Sequence, residues 1–166
     1  MIDRELPQGW TVGDLVPHEE IYSDPPDSLD PLRINLYGMV DGDIGHRIYS
    51  ILVETPIAEL VRFFGIGSHG AASFGLDRDA VMELVISKAI RIYEMIPSRV
   101  IFADSAGLKL KFLRPIEDKE LDLLVELFPE DEAAESGALG YLIEQEPDRH
   151  FFQRVKDENL FHFWWD

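Results

Sequence analysis

The sequence predicts a single α+β domain: a mainly antiparallel sheet of about five strands, with a long central helix and acidic helices packed on it. Three observations lead to this prediction. Two pairs of β-branched and aromatic stretches, at 33–54 and 99–113, each surround an Asp- and Gly-containing turn. Apolar residues recur at helical spacing over 77–96. A length of 166 residues suits one core, so we expect residues 1–166 to form one domain.

The strands are predicted from alternation and turn chemistry. Five stretches have strand composition: 33–40, 46–54, 99–103, 108–113 and 160–165. The sequence DGDIG at 41–45 is typical of a hairpin turn between the first two. Lys109 and Lys111 alternate with apolar residues, which predicts one buried and one solvated face. A short strand within 10–16 and a parallel pairing that would make the sheet mixed both stay open.

Capping signals place the helices. Thr55 is predicted to cap a helix that begins at Pro56 and stops near residue 64, where glycines follow. Asp77 or Asp79 is predicted to cap the longest helix, which Pro97 ends.

The C-terminal third contains the acidic helices. Over 117–127 an apolar stripe lies opposite the carboxylates and comprises Leu121, Leu124, Val125 and Phe128. A second acidic helix is predicted over 129–143 and a short helix over 148–155.

At the N-terminal end, residues 1–31 hold five of the ten prolines, so we expect a loop-rich N-terminal arm.

The charge of the chain is strongly negative. Fifteen basic and 32 acidic residues give a formal charge of −17, which disfavours direct binding to nucleic acid. The segment 117–148 has one lysine against twelve acidic residues. Two interpretations stay open: a solvated face that keeps the protein soluble, or a docking surface for a basic protein. The candidate partner-binding residues are Glu117, Asp118, Glu120, Asp122, Glu126, Glu130, Asp131, Glu132 and Glu135.

A glycine-rich segment follows the first predicted helix. Residues 65–70 read GIGSHG, which matches the G-x-G-x-x-G spacing of dinucleotide-binding loops. Here a helix precedes the glycines and no helix opens directly from them, so the context favours a loop between helices. Backbone amides of such a loop can hold a small anion. The candidate small-ligand residues are Gly67, Ser68, His69, Gly70 and Ser73.

No motif in the sequence predicts catalysis or a resident cofactor. The chain lacks cysteine and lacks a G-x-S-x-G nucleophile elbow. Asp41, Asp43 and His46 bring three hard ligands together, but Asp-Gly hairpin turns form without a metal. His150 and His162 stand among aromatic residues, where a packed, hydrogen-bonded side chain is the usual role. We therefore predict no catalytic residues, no metal site and no cofactor.

The sequence ends in Phe163-Trp164-Trp165-Asp166. This ending resembles that of a bacterial domain family of unknown function whose members finish in aromatic, Trp, Trp, Asp. The resemblance implies a small α+β domain with the tryptophan strand in the sheet, and it supplies no activity or catalytic residues. We expect core packing for these aromatic side chains, with insertion into a partner as the alternative. In composition the chain also resembles bacterial immunity proteins, which neutralise a basic toxin.

Three functional hypotheses follow. The first is an acidic, non-catalytic binding protein that docks a basic protein partner, such as a toxin or nuclease. The second is a small hydrolase or ligand-binding enzyme that uses the loop 65–75. The third is a soluble domain whose charge serves solubility alone.

No apolar run reaches the roughly 18 residues of a membrane helix, and the N-terminus lacks a signal-peptide pattern. We therefore expect a cytoplasmic protein outside the membrane.

Overall fold

The fold is known from a computed structural model, which describes residues 5–69, 75, 77–128 and 149–164. These residues form one six-stranded sheet and four α-helices, which confirms the predicted α+β class. The elements in chain order are β1 (Thr11–Leu15), a 3₁₀ turn (His18–Tyr22), β2 (Arg33–Gly38), β3 (Arg47–Leu52), α1 (Ile57–Phe64), α2 (Arg78–Met95), β4 (Ser98–Asp104), β5 (Gly107–Phe112), α3 (Asp118–Glu126), α4 (Arg149–Glu158) and β6 (Leu160–Trp164).

The sheet joins two hairpins through one parallel pairing. Its strand order is β1-β3-β2-β4-β5-β6. Neighbouring strands are antiparallel except β2 and β4, which pair in parallel at Tyr37↔Phe102 and Gly38↔Ala103. The sheet is therefore mixed, and the short strand that the sequence left open within 10–16 is present as a sixth strand, β1, at one edge.

The main core lies between one face of the sheet and helices α1 and α2. Helix α2 contributes Val85, Ala89 and Ile92, each with 0% exposure. Phe161 and Phe163 of β6 are also buried in this core, which confirms the predicted core packing for these two side chains. The Trp164 side chain, Trp165 and Asp166 lie outside the described part of the chain. Ile90, by contrast, is 38% exposed, so α2 is buried on one side rather than all round.

The helix ends confirm one predicted cap and correct another. Asp77 caps α2, because its carboxylate accepts a hydrogen bond from the Ala80 amide at 2.9 Å. Thr55 does not cap α1: the N-cap is Pro56, and no side chain caps that end. Gly65 ends α1 in the left-handed conformation, with φ of 64°, a geometry that glycine adopts without steric cost. The short helix predicted at 148–155 extends over Arg149–Glu158, and the acidic helix predicted at 129–143 lies outside the described residues.

The N-terminal arm covers part of the opposite face of the sheet. Ile21 of the 3₁₀ turn packs on Tyr37 and Phe102 in a second, smaller core. Further along the arm, two carboxylates pair with cations of the sheet, Asp24 with Lys111 and Asp27 with Arg99. The arm is therefore anchored to the sheet by both apolar contacts and ion pairs.

Candidate functional site

Helix α3 presents a row of carboxylates on its outer side. Its inner side is anchored by Leu124, which is fully buried. On the outer side, Asp118, Asp122 and Glu126 are exposed and stand four residues apart. Because residues four apart lie above one another on a helix, these three carboxylates form one row along its length.

Two exposed apolar side chains flank this row. Leu123 is 44% exposed and Val125 is 43% exposed. At about 100° per residue, the helix places Val125 on one side of the carboxylate row and Leu123 on the other. Val125 therefore departs from its predicted place in the buried stripe, because its direction lies at the edge of the face that packs. We call Asp118, Asp122, Leu123, Val125 and Glu126 the α3 outer face.

Glu120 is a correction to the predicted docking surface, because it is turned inward. It is buried and accepts two hydrogen bonds from the Arg114 guanidinium, each at 2.7 Å. Its carboxylate also accepts the Glu117 amide at 2.9 Å, which closes the first turn of α3. The Arg114 hydrogen bonds lower the pKa of Glu120 to about 2, despite its burial. Glu120 therefore holds α3 in place and presents no exposed carboxylate to a partner.

The other predicted acidic residues divide into three groups. Glu117 pairs with Lys119 at 3.3 Å, and Asp118 pairs with Lys156 of α4. Within the part of the chain that the structure describes, Asp122 and Glu126 form no ion pair with a cation. The remaining candidates lie outside the described residues: Glu130, Asp131, Glu132 and Glu135.

The glycine-rich loop does not offer the predicted anion-binding amides at its described positions. The amides of Gly67 and His69 both donate to the Ser105 carbonyl, at 3.2 Å each, and the Ser68 amide donates to the Gly65 carbonyl at 2.9 Å. The first two donors attach the loop to the β4–β5 turn and the third bonds within the loop, so none of the three is free to bind an anion. His69 itself is exposed, while Gly70 and Ser73 lie outside the described residues.

A cluster of ionisable side chains that no sequence pattern predicted lies on the face of the sheet that the N-terminal arm partly covers. His46 Nε2 lies 2.9 Å from Asp104 Oδ2, although the two residues are 58 positions apart. Phe102 contacts the His46 ring, and Lys109 lies over Phe102 with its Nζ 4.9 Å from the ring centroid. The alternation in β5 predicted a solvated face for Lys109, but no local pattern brings His46 to Asp104.

Burial dominates the electrostatics of this cluster. It lowers the pKa of His162 to about 3, with Lys109 adding to the effect and Asp104 opposing it. Burial also lowers the pKa of Lys109, against the attraction of Asp104 and Glu158. The side chains of His46 and Asp104 are only 14% and 10% exposed. The pair therefore fixes the β2–β3 turn to β4 more readily than it reaches a substrate.

Asp41, Asp43 and His46, for which the sequence favoured a plain turn over a metal site, are not brought together as ligands at the β2–β3 turn. Asp43 approaches Arg47 at 3.7 Å, and His46 turns to Asp104 instead. Across the described residues, no group of three or more His, Cys, Asp or Glu side chains is placed to hold a metal ion. The predicted absence of metal, cofactor and catalytic residues stays a prediction.

Two further findings concern the chain as a whole: the character of its helices and its comparison with known proteins. No helix within the described ranges combines the length and the apolar character needed to cross a membrane. Comparison with family models, curated proteins and solved structures returned no match.

Proposed function

We propose that this chain is an acidic, non-catalytic binding protein that docks a basic protein partner through the α3 outer face. The observation that carries the proposal is the row of Asp118, Asp122 and Glu126 with Leu123 and Val125 exposed on either side. Charged residues around an interface speed encounter, whereas desolvated apolar anchors slow dissociation. The α3 outer face offers both kinds of group on one rigid helix.

The electrostatics of the rest of the molecule support the same proposal. Most cations in the described residues are engaged with a carboxylate of the same chain: Arg33 with Asp30, Arg47 with Asp43, Arg62 with Glu83, Arg99 with Asp27, Lys111 with Asp24, Arg114 with Glu120, Lys119 with Glu117, and Lys156 with Asp118. The net charge of −17 is therefore carried by surplus carboxylates. A basic partner is attracted at long range and relieves their mutual repulsion.

The partner class that fits this chemistry is a basic toxin or nuclease held inactive, as bacterial immunity and inhibitor proteins do. Occlusion by a docked helix needs no catalytic group, in keeping with the buried, structural placement of the His46–Asp104 pair. We place the protein in the bacterial cytoplasm as part of the same proposal. A hydrolase at the loop 65–75 is less well supported, because the Gly67, Ser68 and His69 amides are already used.

The test compares three double variants with the wild type. Asp122→Lys/Glu126→Lys reverses two carboxylates that have no cationic partner among the described residues, and Leu123→Ala/Val125→Ala removes the apolar flanks. Glu19→Lys/Glu54→Lys is the matched control, since both residues are exposed carboxylates outside α3. Each immobilised protein is exposed to lysate of the native host at low and high salt, and retained proteins are identified and purified.

We expect the wild type and the control to retain the same basic protein at low salt. The charge reversal should slow association with that purified protein by about tenfold and flatten its salt dependence. The alanine pair should instead accelerate dissociation. If all three variants bind the basic partner equally well, the α3 outer face is not the docking surface. If the wild type retains no basic protein, the proposed function as a binding protein for a basic partner is refuted.

A further inference from the structure

A cavity of about 340 Å³ opens between helices α1 and α2 and the end of the sheet. Its walls are mostly aliphatic, from Ile57 and Leu60 of α1, Ile90 of α2, and Leu52 and Val53 at the end of β3. Val53 and Ile90 are 56% and 38% exposed, so apolar surface reaches the solvent at this place. The cavity lies apart from the α3 outer face and shares no residue with it.

The helices that border the cavity are attached to the fold and to each other. Leu60 is buried against the core, which fixes α1, and Arg62 of α1 forms an ion pair with Glu83 of α2. A concave, mostly apolar space of this size falls within the range of ligand pockets. At about 30 Å³ per water-sized group, it has room for roughly ten non-hydrogen atoms.

The polar groups of the lining decide the charge of the ligand. The lining residues with polar side chains are Thr55, Tyr93 and Glu94. Burial raises the pKa of Tyr93 to about 12, so this phenol is neutral at physiological pH. Glu94 is exposed and is the group in the lining that carries charge. An anionic ligand would meet this carboxylate in a chain of net charge −17, whereas a cation is attracted by both.

We propose that this cavity binds a small amphiphilic amine, whose aliphatic or aromatic body fills the apolar walls and whose ammonium group pairs with Glu94. The apolar body supplies affinity by leaving water, and the carboxylate supplies the preference for a cation. This site is independent of the proposed docking of a basic protein.

The test uses an isosteric series of probes with the full chain: n-hexylamine, hexanol and hexanoate, with ethylamine as a short control. Binding is followed by chemical-shift changes of backbone amides and by titration calorimetry. Ile90→Trp narrows the mouth of the cavity, and Glu94→Gln removes the charge while keeping the size of the side chain. Glu19→Gln, an exposed carboxylate on the N-terminal arm, is the matched control.

We expect hexylamine to bind at least about tenfold more tightly than hexanol or hexanoate, with shifts clustered around Ile57 and Ile90. Glu94→Gln should abolish the preference for the amine over the alcohol, Ile90→Trp should remove binding, and Glu19→Gln should behave as the wild type. Hexanol or hexanoate binding as tightly as hexylamine would overturn the proposal. So would ethylamine binding equally well, which indicates surface attraction alone, and so would hexylamine binding that Ile90→Trp leaves unchanged.

Discussion

Replacing Glu120 with glutamine measures how much this buried carboxylate contributes to holding α3. The wild-type carboxylate accepts two hydrogen bonds from Arg114 and one from the Glu117 amide. Glutamine keeps the size but turns one acceptor into a donor that faces another donor. A hydrogen bond to a charged group contributes about 1.5–3 kcal/mol. Since the Arg114 side chain is 45% exposed, solvent screens this interaction, and we expect a loss of about 1–2 kcal/mol in the free energy of unfolding.

The pH dependence gives this prediction its sign. The folded pKa of Glu120 is about 2, below the ordinary value of 4.5, so the folded state binds this proton less readily than the unfolded state. The stabilisation is therefore complete above pH 4.5 and is lost as the pH falls toward 2. Glu120→Gln should be less stable than the wild type at pH 7. The free energies of unfolding of the two proteins should converge as the pH falls below 4.5.

Urea denaturation at several pH values tests this expectation, and the change at pH 7 corresponds to roughly 2–8 °C in Tm. Asp122→Asn is the matched control: it removes one carboxylate from the same helix, but an exposed one without an ion pair among the described residues. We expect it to alter stability by less than about 0.5 kcal/mol. Equal stability of Glu120→Gln and the wild type at pH 7, or a difference that persists unchanged in acid, would refute the assignment.

Three further predictions concern the sheet and the arm. A Cβ at Gly38 would lie 2.6 Å from Phe64 Cε1, so Gly38→Ala should lower the free energy of unfolding in urea by about 1–3 kcal/mol. At Gly13 the nearest atom to such a Cβ is 3.5 Å away, so Gly13→Ala should cost nothing. Equal losses of stability in the two variants would contradict the close packing at Gly38. The pKa of His162 is lowered from 6.5 to about 3, so as the pH falls the unfolded state takes up this proton before the folded state does. The free energy of unfolding should therefore decrease as the pH is lowered from 6.5 to about 3. His162→Gln should flatten this part of the pH–Tm curve, and an unchanged curve would contradict the buried neutral imidazole. Asp24→Asn/Asp27→Asn removes two of the ion pairs that join the arm to the sheet and should speed proteolytic cleavage within 17–31. An unchanged cleavage rate would mean that these two pairs do not anchor the arm.

The regular elements were largely predictable because local physical chemistry decides them. Asp77 has the short side-chain oxygen that an N-cap needs, and Gly65 has the backbone freedom that the left-handed end of α1 requires. The alternation around Lys109 gave β5 its buried face correctly, whereas Lys109 on the other face is half-buried rather than fully solvated. Thr55 failed as a cap, because Pro56 takes the N-cap position and Thr55 lies before it.

The candidate site was predictable only in part. The spacing of Asp118, Asp122 and Glu126 already predicts one row on a helix, and this row is present. The burial of Glu120 and its pairing with Arg114 were not predictable, because the helical pattern is the same whether Arg114 folds back onto the helix or extends into solvent. Val125 was misplaced for a similar reason: periodicity gives the direction of a side chain but not the width of the surface that covers it.

What the sequence by itself determined is the class of the fold, the order of the elements and the large excess of negative charge. These properties follow from turn residues, from periodicity and from composition, all of which act within a few residues of one another. Only the tertiary structure decided the parallel pairing of β2 with β4, the contact of His46 with Asp104 and the cavity beside Glu94. Each of these joins segments that are distant in the chain, and their meeting depends on how the whole sheet packs against its helices.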